Sequence, residues 1–215
     1  MAIGRDRIVD EALRLLNEVG IDKLSTRKLA ERLGVQQPAL YWHFRNKAEL
    51  LDAINSEMLL RYHCDRLPKP GQDWIAFTLA NARSIRKTLL TVRDGARLTA
   101  GTRPSVAEFA DVESVLQLYV ETGFSAEEAF GIAICITRYV VGYVLEEQGE
   151  RERDRMDQHS PNTDIMAELA QFPLLAKALE SFPTVGTVNT EAVFENGLSY
   201  LLAGMKEKLR EKQSR

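Results

Sequence analysis

The sequence predicts an all-α fold of about nine to ten helices, because apolar residues recur at three- and four-residue spacing along nearly its whole length. No segment alternates strictly with β-branched enrichment, and no internal repeat is present. Three stretches, Asn46–Glu49, Ser105–Glu108 and Ser125–Glu128, have the spacing of a capping box, in which an N-cap side chain and a Glu three residues on satisfy each other's free amides.

A first helix is expected over about Arg5 to Val19, striped by Ile8, Ala12, Leu15 and Val19 and ended at Gly20. A long helix follows the Asn46 cap to about Cys64, with Leu50, Leu51, Ile54 and Met58 along it. The Leu67–Gly71 stretch, LPKPG, is the clearest break and predicts domains at 1–64 and 65–215. Beyond it, a helix from Asp73 to Leu90 carries Trp74, Phe77, Ile85 and Leu89, and a short helical piece covers 93–98. Residues 101–104 read as a loop, and a helix from Ser105 ends at Gly123. The helix opened by Ser125 is long and carries Phe130, Ile134, Thr137, Val141 and Val144. The polar 149–164 stretch reads as a mobile loop, its first half equally as a solvated helix extension. Asn162–Asp164 restarts structure. Pro173 opens a helix to about 182, and a last helix spans about 189–212 with Val193, Leu198, Leu201, Leu202 and Met205.

The most informative stretch is Ser25–Phe44, STRKLAERLGVQQPALYWHF. Ser25 is a good N-cap, Leu29, Ala30 and Leu33 form one face, and Gly34 can stop a helix in the left-handed region. Pro38 suits the first turn of a second helix, about 37–44, that buries Leu40. Its other face would show Gln37, Ala39, Tyr41, Trp42 and His43 to solvent, beside Thr26, Arg27, Lys28 and Lys47. Two short helices with such an outer face read as a helix-turn-helix with its second helix in the major groove of DNA. The alternative is a buried helical hairpin whose aromatics face another domain.

Charge agrees with that reading. The chain's net charge is −3, but residues 1–47 hold nine Lys/Arg against six Asp/Glu, and the remainder nineteen against twenty-five. A basic head on an acidic body suits selective phosphate binding. No apolar run approaches the roughly 20 residues of a membrane helix, and no signal-peptide core is present, so a cytoplasmic protein without membrane partners is expected. Cys64 and Cys135 are expected to be free thiols. No HExxH, nucleophile elbow, P-loop or dinucleotide fingerprint points to an enzyme, and His63 and Cys64, as helix neighbours, point in different directions.

Residues LLNEVGIDKLSTRKLAERLGVQQPALYWHFRNKAELLDAI, RDGARLTAGTRP at 93–104, ETGFSAEEAF at 121–130 and VLEEQ at 144–148 resemble the TetR family of bacterial transcription regulators, specifically its tetracycline-repressor subgroup. The resemblance implies a ligand-responsive repressor that binds double-stranded operator DNA and is released by a small-molecule inducer. It places DNA contacts on Thr26, Arg27, Gln37, Pro38, Ala39, Tyr41, Trp42, His43 and Lys47. By their chemistry, Arg27 and Gln37 suit purine edges, Pro38 and Ala39 a thymine methyl, and Thr26, Tyr41, His43 and Lys47 phosphates. Trp42 is either a contact or core. Ala39 and Gln36 stand where the subgroup has threonine and glutamate, which implies an altered operator.

The same resemblance places a ligand site on His63, Asn81, Ile85, Thr99, Thr102, Arg103, Pro104, Val115, Arg138 and Glu146. Four of these depart from the subgroup: Thr99 replaces the metal-binding histidine, Val115 a glutamine, Arg138 a second histidine and Ile85 a phenylalanine. No cofactor or metal is expected; a magnesium-chelated ligand is the less favoured alternative, since a threonine hydroxyl poorly replaces imidazole. Arg138 is expected to face the core, to meet an anionic or phenolic ligand or a core carboxylate. His63 and Asn81 either bind the ligand's polar groups or are satisfied core residues.

One helix-turn-helix reads few base pairs, so a homodimer on a palindrome is expected, joined through helices at about 126–150 and 189–212 that are apolar on more than one face. Lys47 and His63 bracket one helix about 24 Å long, which can act as a lever between ligand and DNA. A constitutive or architectural DNA-binding dimer with a vestigial pocket is the alternative.

Overall fold

Four helices, α1 (Arg5–Val19), α2 (Thr26–Leu33), α3 (Pro38–Tyr41) and α4 (Lys47–Tyr62), build the N-terminal head. A computed structural model describes residues 3–156, 169, 171–180 and 188–214, and every regular element among them is helical. Ile8, Ala12 and Leu15 of α1 are buried as the stripe requires, joined by Val9, Leu13 and Leu16, while Val19 is half-buried. The Ser25 hydroxyl accepts from the Lys28 N–H at 3.3 Å and opens α2. Gly34 closes it at φ +67°, a conformation that costs glycine little. Leu29, Ala30 and Leu40 close the head's core with Phe44, Leu50 and Ile54.

Helix α3 is one turn, shorter than the expected 37–44. Pro38 lacks an N–H, and beyond Tyr41 the chain tightens, with both His43 and Phe44 donating to the Leu40 carbonyl. The cap of α4 also differs. Asn46 accepts from the Glu49 N–H at 2.9 Å, but the Glu49 carboxylate accepts from the Arg45 N–H at 2.8 Å, one residue before the cap. The helix ends at Tyr62, two residues early, and leaves His63 as its C-cap.

Helices α5 (Trp74–Thr91), α6 (Gly95–Ala100) and α7 (Phe109–Thr122) follow. Trp74, Phe77, Ile85 and Leu89 of α5 are buried as expected. Trp74, Tyr119 and Phe124 pack edge to face, with centroids 5.6–6.4 Å apart. The Ser105–Glu108 box forms, and opens a 3-10 turn (Val106–Glu108) leading into α7. The helical piece expected at 93–98 starts two residues later, because Asp94 takes a left-handed φ of +57°. Gly95 follows because it must: a Cβ there would lie 2.4 Å from the Leu89 carbonyl oxygen.

Helix α8 (Ala126–Met156) opens on the Ser125–Glu128 box, with both bonds formed. Among its described residues the buried apolar ones are Ala129, Ile132, Ile136, Val140 and Val144. Of the residues read along it, Phe130 and Thr137 are exposed, Ile134 and Val141 half-buried, and Val144 is core. Residues 149–156 are helix, not loop; the rest of the expected loop and the restart at Asn162–Asp164 lie outside the described residues. The span Ala126–Arg153 is also long and apolar enough to cross a membrane by length and composition, contrary to the reading of the sequence, although only 28% of its apolar window is buried. Arg138 is the one charge within the run Ala129–Leu145 and hides it from a scan for unbroken apolar residues.

The chain divides into two compact units, Met1–Val144 and Leu145–Arg215. Within the second, α9 spans Pro173–Leu179 and α10 spans Glu191–Gln213. Thr190 caps α10 by accepting from the Val193 N–H, and Phe194, Leu198 and Leu202 are buried. Positions 181 and 182, the expected end of α9, lie outside the described residues. Glu147 is buried and pairs with Arg151 at 2.8 Å.

Candidate nucleic-acid interface and ligand site

The short α3 displays its polar face as the sequence requires. Trp42 is 89% exposed, which removes it from the core, and Tyr41 is half exposed. Gln37, Ala39 and His43 are partly accessible, and Pro38 is exposed. The Gln37 side-chain amide donates to Thr26 Oγ1 at 2.9 Å and to the Tyr41 hydroxyl at 3.2 Å. Three of the residues expected to contact DNA thus form one hydrogen-bonded set across α2 and α3. Both Gln37 N–H groups are engaged, so its Oε1 is the atom left to accept from a base, and the paired bond to adenine requires one donor to exchange partners. Arg27 lies 3.5 Å from Glu31 with both side chains well exposed, a pair weak enough to yield to DNA. Lys47 stands exposed at the first position of α4.

The head is held to α6 by a cluster that the reading of single motifs missed. The Asp94 carboxylate accepts from the Ile21 N–H at 2.8 Å. The Arg93 N–H donates to Asn17 Oδ1 at 2.9 Å, and its guanidinium to the Glu18 carbonyl at 2.8 Å. Arg97 makes a two-pronged pair with Asp22, at 2.9 and 2.8 Å. The RDGAR stretch had been legible as a segment, but its partners on the α1–α2 loop lie some 75 residues away in sequence. Helix α6 also touches α4, where the Thr99 hydroxyl donates to Asn55 Oδ1 at 2.7 Å, and in the loop after α6 the Arg103 N–H donates to Asp52 at 3.1 Å. Helix α6 therefore contacts both the head's α1–α2 loop and α4.

The ligand positions separate into groups. His63, buried, lies with Nδ1 2.8 Å from the Ser84 hydroxyl and Nε2 3.2 Å from the Asn81 amide, which also donates to the Asp65 carbonyl at 3.0 Å. Burial pushes the His63 imidazole down to about 4, against Asp65, which favours its charged form. The ring is neutral at pH 7: Nε2 accepts from Asn81 and Nδ1–H donates to Ser84. Ile85 is buried one helical turn from Asn81, and Val115 is half-buried on α7. Thr102 donates to the Thr99 carbonyl at 3.2 Å. Arg103 and Pro104 are exposed. Arg138 is exposed too, not facing the core: the buried face of α8 passes through Ile136 and Val140, and Arg138 falls between them on the outer side. Glu146 is exposed and belongs to the second unit. Cys64 and Cys135 are exposed free thiols.

An exposed hydrogen-bonding and aromatic face on a helix-turn-helix, backed by a helical core, defines a DNA-binding transcriptional regulator. The family model for bacterial regulatory proteins of the tetR family matches residues 8–54, and that for the tetracyclin repressor-like C-terminal domain matches residues 67–209. The chain is 45% identical to the class A tetracycline repressor of transposon 1721 from Escherichia coli, over 94% of this chain and 89% of that protein. A TetR variant from Acinetobacter baumannii AYE, solved with minocycline, superposes with a TM-score of 0.75 at 40% identity, covering 95% of this chain and 94% of that one. The class A repressor solved with 5a,6-anhydrotetracycline and magnesium gives 0.71 at 38%, covering 94% and 97%. The chain belongs to the tetR family, and it is a ligand-responsive helix-turn-helix transcriptional repressor.

The magnesium ion of that class A complex does not fit the residues here. Thr99 offers a neutral hydroxyl whose hydrogen is already given to Asn55.

Proposed function

We propose that the protein acts as a homodimer in the bacterial cytoplasm, placing two α3 helices in successive major grooves of a palindromic operator. The observation that carries this reading is the outward set of Gln37, Tyr41 and Trp42, linked to Thr26 on the preceding helix. Thr26, Arg27, His43 and Lys47 supply phosphate and base-edge contacts around it, and Pro38 and Ala39 the small apolar surface for a thymine methyl. The dimer is supported by apolar residues left outside each helix's own core: Phe130 and Leu145 on α8, and Tyr200 on α10. A second copy covering these faces also accounts for the apolar length of α8 without a membrane.

The inducer is an organic molecule bound without a metal, its polar groups read by His63 and Asn81 and its body lying against Ile85 and Val115. The outward position of Arg138 withdraws the argument for an anionic ligand from this chain's own core. Ligand entry would break the His63–Asn81 bond at the C-terminal end of α4 and shift that helix, and with it Lys47. Linkage requires operator to weaken ligand by the same factor that ligand weakens operator.

A second reading is favoured by one observation: His63, Ser84, Asn81 and the Asp65 carbonyl satisfy one another. A pocket whose polar groups are already paired suits a constitutive dimeric DNA-binding protein. Selection of duplexes from a random library, followed by fluorescence anisotropy with and without tetracycline-type ligands, separates the two. Operator release by a ligand supports the first reading, and thermal-shift silence across a broad panel supports the second.

A further inference from the structure

The arginines of the head divide by what their guanidinium groups meet. Arg14 faces Glu11, Arg27 faces Glu31, Arg32 faces Glu11 and Glu18, and Arg61 faces Asp10 and Glu57. Arg5 is exposed and meets no carboxylate among the described residues. It meets a ring instead: its guanidinium carbon lies over Phe44, 5.0 Å from the ring centroid, within the range of a cation–π contact. Phe44 is buried in the head's core, so the ring is a fixed platform. It stands in the turn between α3 and α4, directly after Trp42 and His43 and just before the exposed cations Arg45 and Lys47.

The mode of contact matters. Stacking on a ring uses the flat face of a guanidinium and leaves its N–H edge free, whereas a carboxylate pair consumes that edge. The same edge matches the oxygens of a phosphate. We propose that Arg5 is a further DNA-phosphate contact, lying outside the helix-turn-helix: the start of α1 lends a cation to the edge where α3 passes into α4, and Phe44 holds it there. Arg7 is also exposed and without a carboxylate partner among the described residues, but it stands about 200° further round α1, on another face.

The inference rests on the proposed docking of α3 in the major groove, and the measurement separates the two. A duplex selected from a random library with the wild-type protein, and a scrambled duplex of equal length, are titrated by fluorescence anisotropy at several salt concentrations. Each phosphate contact contributes about 0.9 to the salt slope. Arg5→Gln, present in both heads of a dimer, is expected to lower the slope by about two and to weaken both duplexes alike, by up to roughly 60-fold at 0.1 M salt. Lys47→Gln, at the proposed contact on α4, is expected to lose as much. Arg7→Gln removes the same charge from the same helix and is expected to keep the wild-type slope. Thermal melting of the three variants within a few degrees of wild type confirms that folding is intact. A wild-type protein that binds both duplexes equally overturns the docking of α3 and the Arg5 contact with it. Preference for the selected duplex and a normal loss in Lys47→Gln, with Arg5→Gln either unchanged or matched by Arg7→Gln, overturns the Arg5 contact alone.

Discussion

Acidification should destabilise this protein through His63 in a measurable and attributable way. The ring is held neutral by burial, near 4 in the fold against 6.5 for a free imidazole. A group whose unfolded form binds the proton first makes stability rise with pH. Its contribution is complete above about pH 6.5, is lost as pH falls towards 4, and is lowest below that. At pH 5 the unfolded imidazole is almost wholly protonated and the folded one about a tenth protonated, which costs about 2 kcal/mol relative to pH 7.5. Urea unfolding at both pH values, at one fixed protein concentration, measures the loss. His63→Gln removes the titration while keeping a polar group near Ser84 and Asn81. Wild type should lose about 2 kcal/mol more than the variant between pH 7.5 and pH 5. Equal losses in the two proteins would refute the buried, neutral imidazole.

Other substitutions test other parts of the account. Gly95→Ala forces a Cβ into the Leu89 carbonyl and should cost more than about 3 kcal/mol or prevent folding, read by thermal melting. Thr99→Val strands the buried Asn55 acceptor and should cost about 1–3 kcal/mol by urea unfolding; a neutral effect would mean that the α4–α6 bond is not formed in solution. Gln37→Ala should cost about 1–3 kcal/mol on a selected operator and relax one base position, and equal losses on selected and random duplexes would contradict base readout. Light scattering should give twice 24.3 kDa at micromolar concentration; the mass of a single chain would contradict the dimer.

The head was largely legible in the sequence because its signals are local. Ser25, Gly34 and Pro38 act within a turn of where they stand, and the structure places a cap, a left-handed stop and a helix start at them. The length of α3 was less legible, since aromatic residues after Tyr41 read as helix while the backbone tightens onto the Leu40 carbonyl. Which face of α8 the fold covers was not legible in the sequence, for a physical reason. Ala129, Ile132, Ile136 and Val140 make one apolar stripe, Phe130, Ile134 and Val141 another, and a sequence with two apolar faces does not say which one its own fold covers. The misplacement of Arg138 follows from that choice. The late start of α6 and its hold on the head were not readable at all. Asp94 takes a left-handed conformation with its carboxylate held by the N–H of Ile21, far away in sequence. The ligand residues illustrate the same limit: resemblance located His63 and Asn81, but only the fold shows that they bond to each other.

The most direct test of the whole account is the stoichiometry and specificity of the DNA complex. A duplex selected from a random library should be palindromic, should bind two chains as judged by the mass of the complex, and should bind them far more tightly than a scrambled duplex of equal length. One chain per duplex, or equal affinity for the scrambled sequence, would contradict the paired helix-turn-helix readout on which the rest depends.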